Sequence, residues 1–125
     1  MIKGIGIDLI DNLRFKNLIK KYGDKIALKI LSPNEFYEYK ECKCKSSYLS
    51  KKFAAKEALS KALGYGLYRN GVFPKSISIK HTKYGKPFFE FSDSLLVLVK
   101  NNCKNIELSI SDTASQSIAF VVIES

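Results

Sequence analysis

The segment Lys45 to Leu63, KSSYLSKKFAAKEALSKAL, is the strongest helical stretch in the sequence, and Gly64 follows it as a natural stop. Leu49, Phe53, Ala55, Ala58, Leu59, Ala62 and Leu63 give it a broad apolar surface rich in alanine. A chain of 125 residues has room for one domain, 1–125, built around one core. With 46% hydrophobic and 12% aromatic residues, the remainder can supply that core, which excludes a disordered tail or a fibrous repeat.

The chain opens with an apolar run from Ile2 to Ile10. Its Ile and Leu residues, interrupted by Gly4 and Gly6, predict a buried strand whose glycines let another backbone approach closely. Asp11 then opens a helix with Leu13, Leu18 and Ile19 on one side, ended by Gly23. Ile26, Ile30 and Leu31 predict a short second helix. Ser32-Pro33-Asn34-Glu35 predicts a third, with Ser32 as cap, Pro33 in the first turn and Glu35 reaching back in a capping box. After Gly64, the residues Gly66, Asn70, Gly71 and Pro74 mark a loop. Strands are expected over Ser76–His81 and Phe88–Phe91 around the turn Tyr84-Gly85-Lys86-Pro87. A helix capped by Ser92 should run to Asn102, followed by strands over Ile106–Ile110 and Ile118–Ile123. The fold class is α+β, with helices packed on an antiparallel sheet that the N-terminal strand joins.

Charge narrows the function. Twenty-one Lys and Arg against twelve Asp and Glu give +9, which favours an anionic partner. The N-terminus lacks a secretory signal, since Asp8 and Asp11 follow its apolar run at once, and no apolar run is long enough to span a bilayer. Cys42, Cys44 and Cys103, with the single His81, lack zinc-site spacing and read as reduced thiols of a cytoplasmic protein.

Phe53, Glu57 and Lys61 follow one another along one side of the main helix, where an apolar face meets a cleft. Glu57 and Lys61 alone describe an ordinary surface i, i+4 ion pair. A site needs a second carboxylate, and Asp8, after a strand rich in Ile and Gly, is the candidate; the alternative is that Asp8 or Asp11 caps the next helix. Two hard carboxylates suit Mg²⁺, which takes one or two such ligands and completes its octahedron with water and phosphate. Gly4 and Gly6 are not a dinucleotide fingerprint, because position 9 is Leu.

GIGIDLIDNLR from Gly4 to Arg14, together with FAAKEALSKALGYG from Phe53 to Gly66, resembles the holo-acyl-carrier-protein synthases, the small bacterial 4′-phosphopantetheinyl transferases. YGKP at Tyr84 to Pro87 and LSISDTASQSIAFVVIE from Leu108 to Glu124 extend the resemblance over nearly the whole chain. It implies a phosphopantetheinyl transferase-like fold. It also implies transfer of 4′-phosphopantetheine from coenzyme A to a serine of apo-acyl carrier protein, with release of adenosine 3′,5′-bisphosphate, in fatty acid biosynthesis. By position, Asp8 and Glu57 resemble the magnesium ligands, and Lys61 the active-site lysine near the coenzyme A phosphates. Gly64, Gly85, Lys86, Pro87, Asp112 and Thr113 fall at coenzyme A-binding positions, and Arg14 at a carrier-protein contact, to which the charge of the same helix adds Lys21 as a candidate. A homotrimer with active sites between subunits is also implied. The family usually carries His where this chain has Asp112, so Asp112 is expected either to join the metal shell or to pair with a lysine. The rival class is a basic nucleic-acid-binding module that stacks bases on Tyr84, Phe88, Phe89 and Phe91, although the alternation at Phe89 and Phe91 suits a core.

Overall fold

The computed structural model describes residues 1–68 and 71–125; Asn70 of the expected loop lies outside them. In chain order the elements are β1 (Ile2–Asp11), α1 (Asn12–Tyr22), α2 (Lys25–Ile30), α3 (Pro33–Glu41) and α4 (Lys45–Leu63). A 3-10 turn (Pro74–Ser76) leads into β2 (Ile77–His81), β3 (Pro87–Phe91), α5 (Asp93–Asn102), β4 (Asn105–Asp112) and β5 (Gln116–Glu124).

Helix α4 is the axis of the molecule. Residues Leu49, Ala54, Ala55, Ala58 and Leu59 have no exposed surface, and Lys52, Lys56 and Ser60 on other sides are buried too, so the helix is enclosed around most of its girth. Gly64 ends it at φ 82°, ψ 7°, a left-handed conformation that glycine adopts without steric cost.

Strand β1 lies directly against α4. A Cβ on Gly4 would stand 2.0 Å from the Ala62 carbonyl oxygen, and one on Gly6 would stand 1.8 Å from that of Ala58. Two strand residues advance about 6.7 Å and four helical residues about 6 Å, so the glycine pair on the strand meets the alanine pair on the helix in register.

The expected buried strand is covered on one face only. Gly6 and Ile10 face inward, whereas Ile5, Ile7 and Leu9 are 61%, 53% and 57% exposed. Period-2 alternation puts those three on the open face, where they pair across β5 with Val122, Phe120 and Ile118.

A single sheet is also corrected. Antiparallel strands run in the order β1-β5-β4, while β2 and β3 form a separate hairpin, because α5 carries the chain away between β3 and β4. Phe89 and Phe91 stack at 6.0 Å between centroids and pack against the core, as the alternation suggested.

The first helices follow the sequence with local adjustments. Phe15 rather than Leu13 is the buried anchor of α1. The capping box of α3 forms as expected, Glu35 N donating to Ser32 Oγ (3.4 Å) and Ser32 N to Glu35 Oε1 (3.1 Å). Asp11 and Ser92 stand at N-cap positions, but neither side chain makes a cap hydrogen bond. Asp11 instead accepts from Gln116 Nε2 at 3.1 Å. Among the described residues no helix is long and apolar enough to cross a membrane.

Candidate active site

Asp8 shares the inward side of β1 with Gly6 and Ile10, so the strand that the glycines press onto α4 also delivers a carboxylate to it. The side chain of Asp8 is 17% exposed, and Lys61 Nζ donates to its Oδ1 at 3.2 Å and to the Ile7 carbonyl at 2.9 Å. The surface i, i+4 pair between Glu57 and Lys61 therefore does not form, because Lys61 crosses to the strand. Burial first, and then the charge of Asp8, push the Glu57 carboxyl above its ordinary range; Lys61 and Arg14 oppose the shift. Two carboxylates and two cations thus converge where β1 crosses the C-terminal half of α4.

That donor set fits a divalent cation. Glu57 is half-buried beside a second carboxylate, an arrangement that a positive charge between them relieves. No group of three His, Cys, Asp or Glu ligands occurs among the described residues. A two-carboxylate site leaves the other positions of a magnesium octahedron to water and substrate oxygens.

Arg14 extends from α1 over this site. Its guanidinium lies 5.6 Å from the ring centre of Phe15 and 5.5 Å from that of Phe53, within cation–π range of both. Lys21 is two turns further along the same side of α1, its ammonium 5.2 Å from the Tyr22 ring. Gly64 borders a cavity of about 420 Å³ together with Lys3, Lys61, Tyr65 and Cys103.

The other sequence-predicted residues gather elsewhere. Gly85, Pro87 and Asp112 line a cavity of about 290 Å³ beside the N-terminal half of α4, with Lys51, Lys52, His81 and Tyr48. Gly85 adopts φ 88° in a turn that Lys86 N closes onto Thr82 Oγ1 at 3.1 Å. Lys86 itself bends to Glu107 (3.0 Å). Thr113 Oγ1 accepts from Gln116 N at 3.1 Å and shapes the β4–β5 turn. Asp112 Oδ2 lies 3.8 Å from Lys51 Nζ, so the structure places it beside a lysine, away from Asp8 and Glu57.

Lys51, Lys52 and His81 are additions that sequence reasoning did not single out as site residues; the only signal was a basic pair directly before Phe53. Lys52 is 5% exposed, its ammonium 4.9 Å from the Tyr48 ring, and burial lowers its pKa. His81 is lowered by burial and by Lys52. No hydrogen bond or ion pair among the described residues joins this cluster to the Asp8–Glu57 cluster.

The chain is similar to known proteins along its whole length. The profile of the 4′-phosphopantetheinyl transferase superfamily matches residues 4–121. The chain is 42% identical over 125 residues to the holo-[acyl-carrier-protein] synthase of Nitrosospira multiformis, covering 99% of each chain. It is 44% identical over 125 residues to that of Blochmanniella pennsylvanica, again covering 99% of each. The crystal structure of the Neisseria meningitidis synthase superposes with a TM-score of 0.94 at 39% identity, covering 100% of both chains. The Helicobacter pylori synthase in complex with coenzyme A superposes with a TM-score of 0.82 at 32% identity, over 96% of this chain and 99% of that one. By matched motifs, full-length identity and shared fold, this chain belongs to the holo-[acyl-carrier-protein] synthase family of the 4′-phosphopantetheinyl transferase superfamily.

Proposed function

We propose that the protein transfers 4′-phosphopantetheine from coenzyme A to a serine hydroxyl of apo-acyl carrier protein in a magnesium-dependent reaction that releases adenosine 3′,5′-bisphosphate. The observation that carries the reading is the convergence of Asp8, Glu57 and Lys61 at the crossing of β1 and α4. Asp8 and Glu57 would hold Mg²⁺, which when bound draws charge from the pyrophosphate of coenzyme A. Lys61, anchored on Asp8 and the Ile7 carbonyl, keeps the strand carboxylate in place and presents positive charge where the leaving bisphosphate gathers negative charge. The serine oxygen forms the new P–O bond, the bond to the bisphosphate breaks, and the serine proton passes to a base. Asp8, Glu57 through a water, and a phosphate oxygen all meet that requirement.

Release of adenosine 3′,5′-bisphosphate, followed by chromatography, tests the reaction. One equivalent per carrier modified, and none without apo-carrier, is expected; free hydrolysis of coenzyme A at the same rate would contradict it.

Coenzyme A also needs a place for its nucleotide. The cavity bearing Lys51, Lys52 and His81, with Pro87 and Ile110 as apolar wall, suits a phosphorylated nucleoside. Neither Asp8 nor Glu57 lines it, which supports a site completed between subunits of a homotrimer. The open sheet face supports the same arrangement, since Ile5, Ile7, Leu9 and Phe120 expose contiguous apolar surface. Phe120→Glu is expected to sediment as a monomer and to lose at least about tenfold in activity, although Asp8, Glu57 and Lys61 remain in every chain. A fully active monomer would place the whole site within one subunit.

Asp112 pairs with Lys51 in that cavity and so withdraws one cation from an anionic substrate. Asp112→Ala is expected to lower the KM for coenzyme A about threefold with magnesium dependence unchanged. An altered magnesium requirement would instead make Asp112 part of the metal shell.

The carrier partner is read from charge. An excess of +9, with Arg14 and Lys21 on one side of α1, suits an acidic carrier protein and an association rate that falls with salt.

A further inference from the structure

Lys56, the residue before Glu57, is fully buried, and its ammonium is saturated. Nζ donates to Glu35 Oε1 (2.5 Å), to the Ile30 carbonyl (2.8 Å) and to the Pro74 carbonyl (2.9 Å), which uses all three of its protons. Glu35, 1% exposed, is equally occupied, because Oε1 also accepts from Ser32 N (3.1 Å) and Oε2 from Ile79 N (2.8 Å). Ser78 Oγ donates to Ser32 Oγ at 2.7 Å and extends the network. The group ties the middle of α4 to the end of α2, the cap of α3, the 3-10 turn and β2. Burial lowers the Lys56 ammonium to about 8 even though Glu35 opposes the shift. A buried pair of this kind gives little stability over well-packed apolar side chains, so what it contributes is geometry.

That geometry bears on Glu57. Successive helical residues turn by about 100°, so Lys56 and Ala58 lie on nearly opposite flanks of α4 with Glu57 between them. Lys56 is bolted to α2, α3 and the 3-10 turn, and on the other flank the Ala58 carbonyl is pressed against Gly6 of β1. Glu57, between two immobilised neighbours, is aimed at the seam where Asp8 stands two residues beyond Gly6.

We propose that Lys56 and Glu35 are positioning residues for the Asp8–Glu57 cation site, their buried network locking α4 at the rotation that brings Glu57 to Asp8. The inference rests on the reading that those two carboxylates hold the divalent cation.

Lys56→Met and Glu35→Gln in the full chain test it, with Glu57→Ala as the control lacking the site. Mg²⁺ binding is measured by calorimetry at a temperature where circular dichroism shows each variant folded, alongside kcat and the KM for carrier protein. Lys56→Met is expected to bind Mg²⁺ about tenfold more weakly and to lose kcat, with carrier KM within about twofold of wild type. Glu35→Gln, which keeps part of the hydrogen bonding, should move both quantities less in the same direction. A folded Lys56→Met with wild-type Mg²⁺ affinity and kcat, whatever its melting temperature, would overturn the proposal. Should Lys56→Met fail to fold, wild-type Mg²⁺ affinity in Glu35→Gln overturns it equally. Wild-type protein that binds Mg²⁺ no more tightly than Glu57→Ala would overturn the cation reading beneath it.

Discussion

Alanine at Asp8 or at Glu57 is expected to lower kcat for phosphopantetheine transfer by about a thousandfold or more, since either change leaves one carboxylate to hold the cation that phosphoryl transfer depends on. The loss should appear in kcat more than in the KM for carrier protein, whose proposed contacts are on α1. Stability separates this from unfolding. The Glu57 carboxyl is raised in the folded chain, chiefly by burial and then by Asp8. For an acid, a raised pKa means that folding disfavours the charged form. Its charge therefore costs stability above the raised pKa, and the cost vanishes as pH falls through that value. Glu57→Ala should then melt no lower than wild type at neutral pH while being inactive. Steady-state kinetics with thermal melts in the absence of metal check both halves. An active Glu57→Ala, or an inactive one that is also unfolded, would remove the support for Glu57 as a ligand.

Gly6→Ala is expected to be the most destabilising single-methyl change in the chain. Its Cβ would lie 1.8 Å from the Ala58 carbonyl oxygen and 2.9 Å from the Ala62 amide nitrogen, so backbone meets backbone and no side chain can swing aside. Strand and helix would have to separate by more than about 1 Å, opening the core between them, which places the cost at roughly 4 kcal/mol or more. Gly64→Ala is the control. Nothing lies within 4 Å of its Cβ, and the penalty comes only from φ 82°, about 1 kcal/mol. Denaturant unfolding of the two variants compares the effects directly, and equal midpoints would show that β1 and α4 are not held at the distance described. Because Asp8 and Glu57 flank this contact, any residual folded Gly6→Ala should also be a poor enzyme.

Much of this was legible in the sequence, for physical reasons that differ by element. Helix α4 carries no Gly or Pro until its stop, so its bounds were read directly. Gly4 and Gly6 announced a close backbone approach because a strand gives up side-chain packing only for proximity. The Ser32–Glu35 capping box is a local hydrogen-bond pattern and formed as read. The open face of β1 was misread, because Ile5, Ile7 and Leu9 look the same in sequence whether a helix covers them or the face is left open. The division into two sheets depends on where α5 steers the chain, which no local pattern encodes.

The site was legible unevenly. Asp8, Glu57 and Lys61 came from motif and helical spacing, but the reach of Lys61 across to Asp8 is a tertiary choice that spacing could not decide. Lys56 stood in the same motif and drew no notice, since a lysine in sequence reads as surface until its acceptors, 18 to 26 residues away, are seen around it. Lys51, Lys52 and His81 come from two elements and meet only in the folded chain.

The central claim is a chelator-sensitive transfer carried out by the Asp8–Glu57–Lys61 cluster, and the intact mass of an apo-acyl carrier protein incubated with coenzyme A, Mg²⁺ and this protein tests it most directly. The account predicts a gain of one phosphopantetheine group that disappears with chelator and with Asp8→Ala or Glu57→Ala; an unchanged carrier mass with wild-type protein, or a gain indifferent to both chelator and substitution, would contradict it.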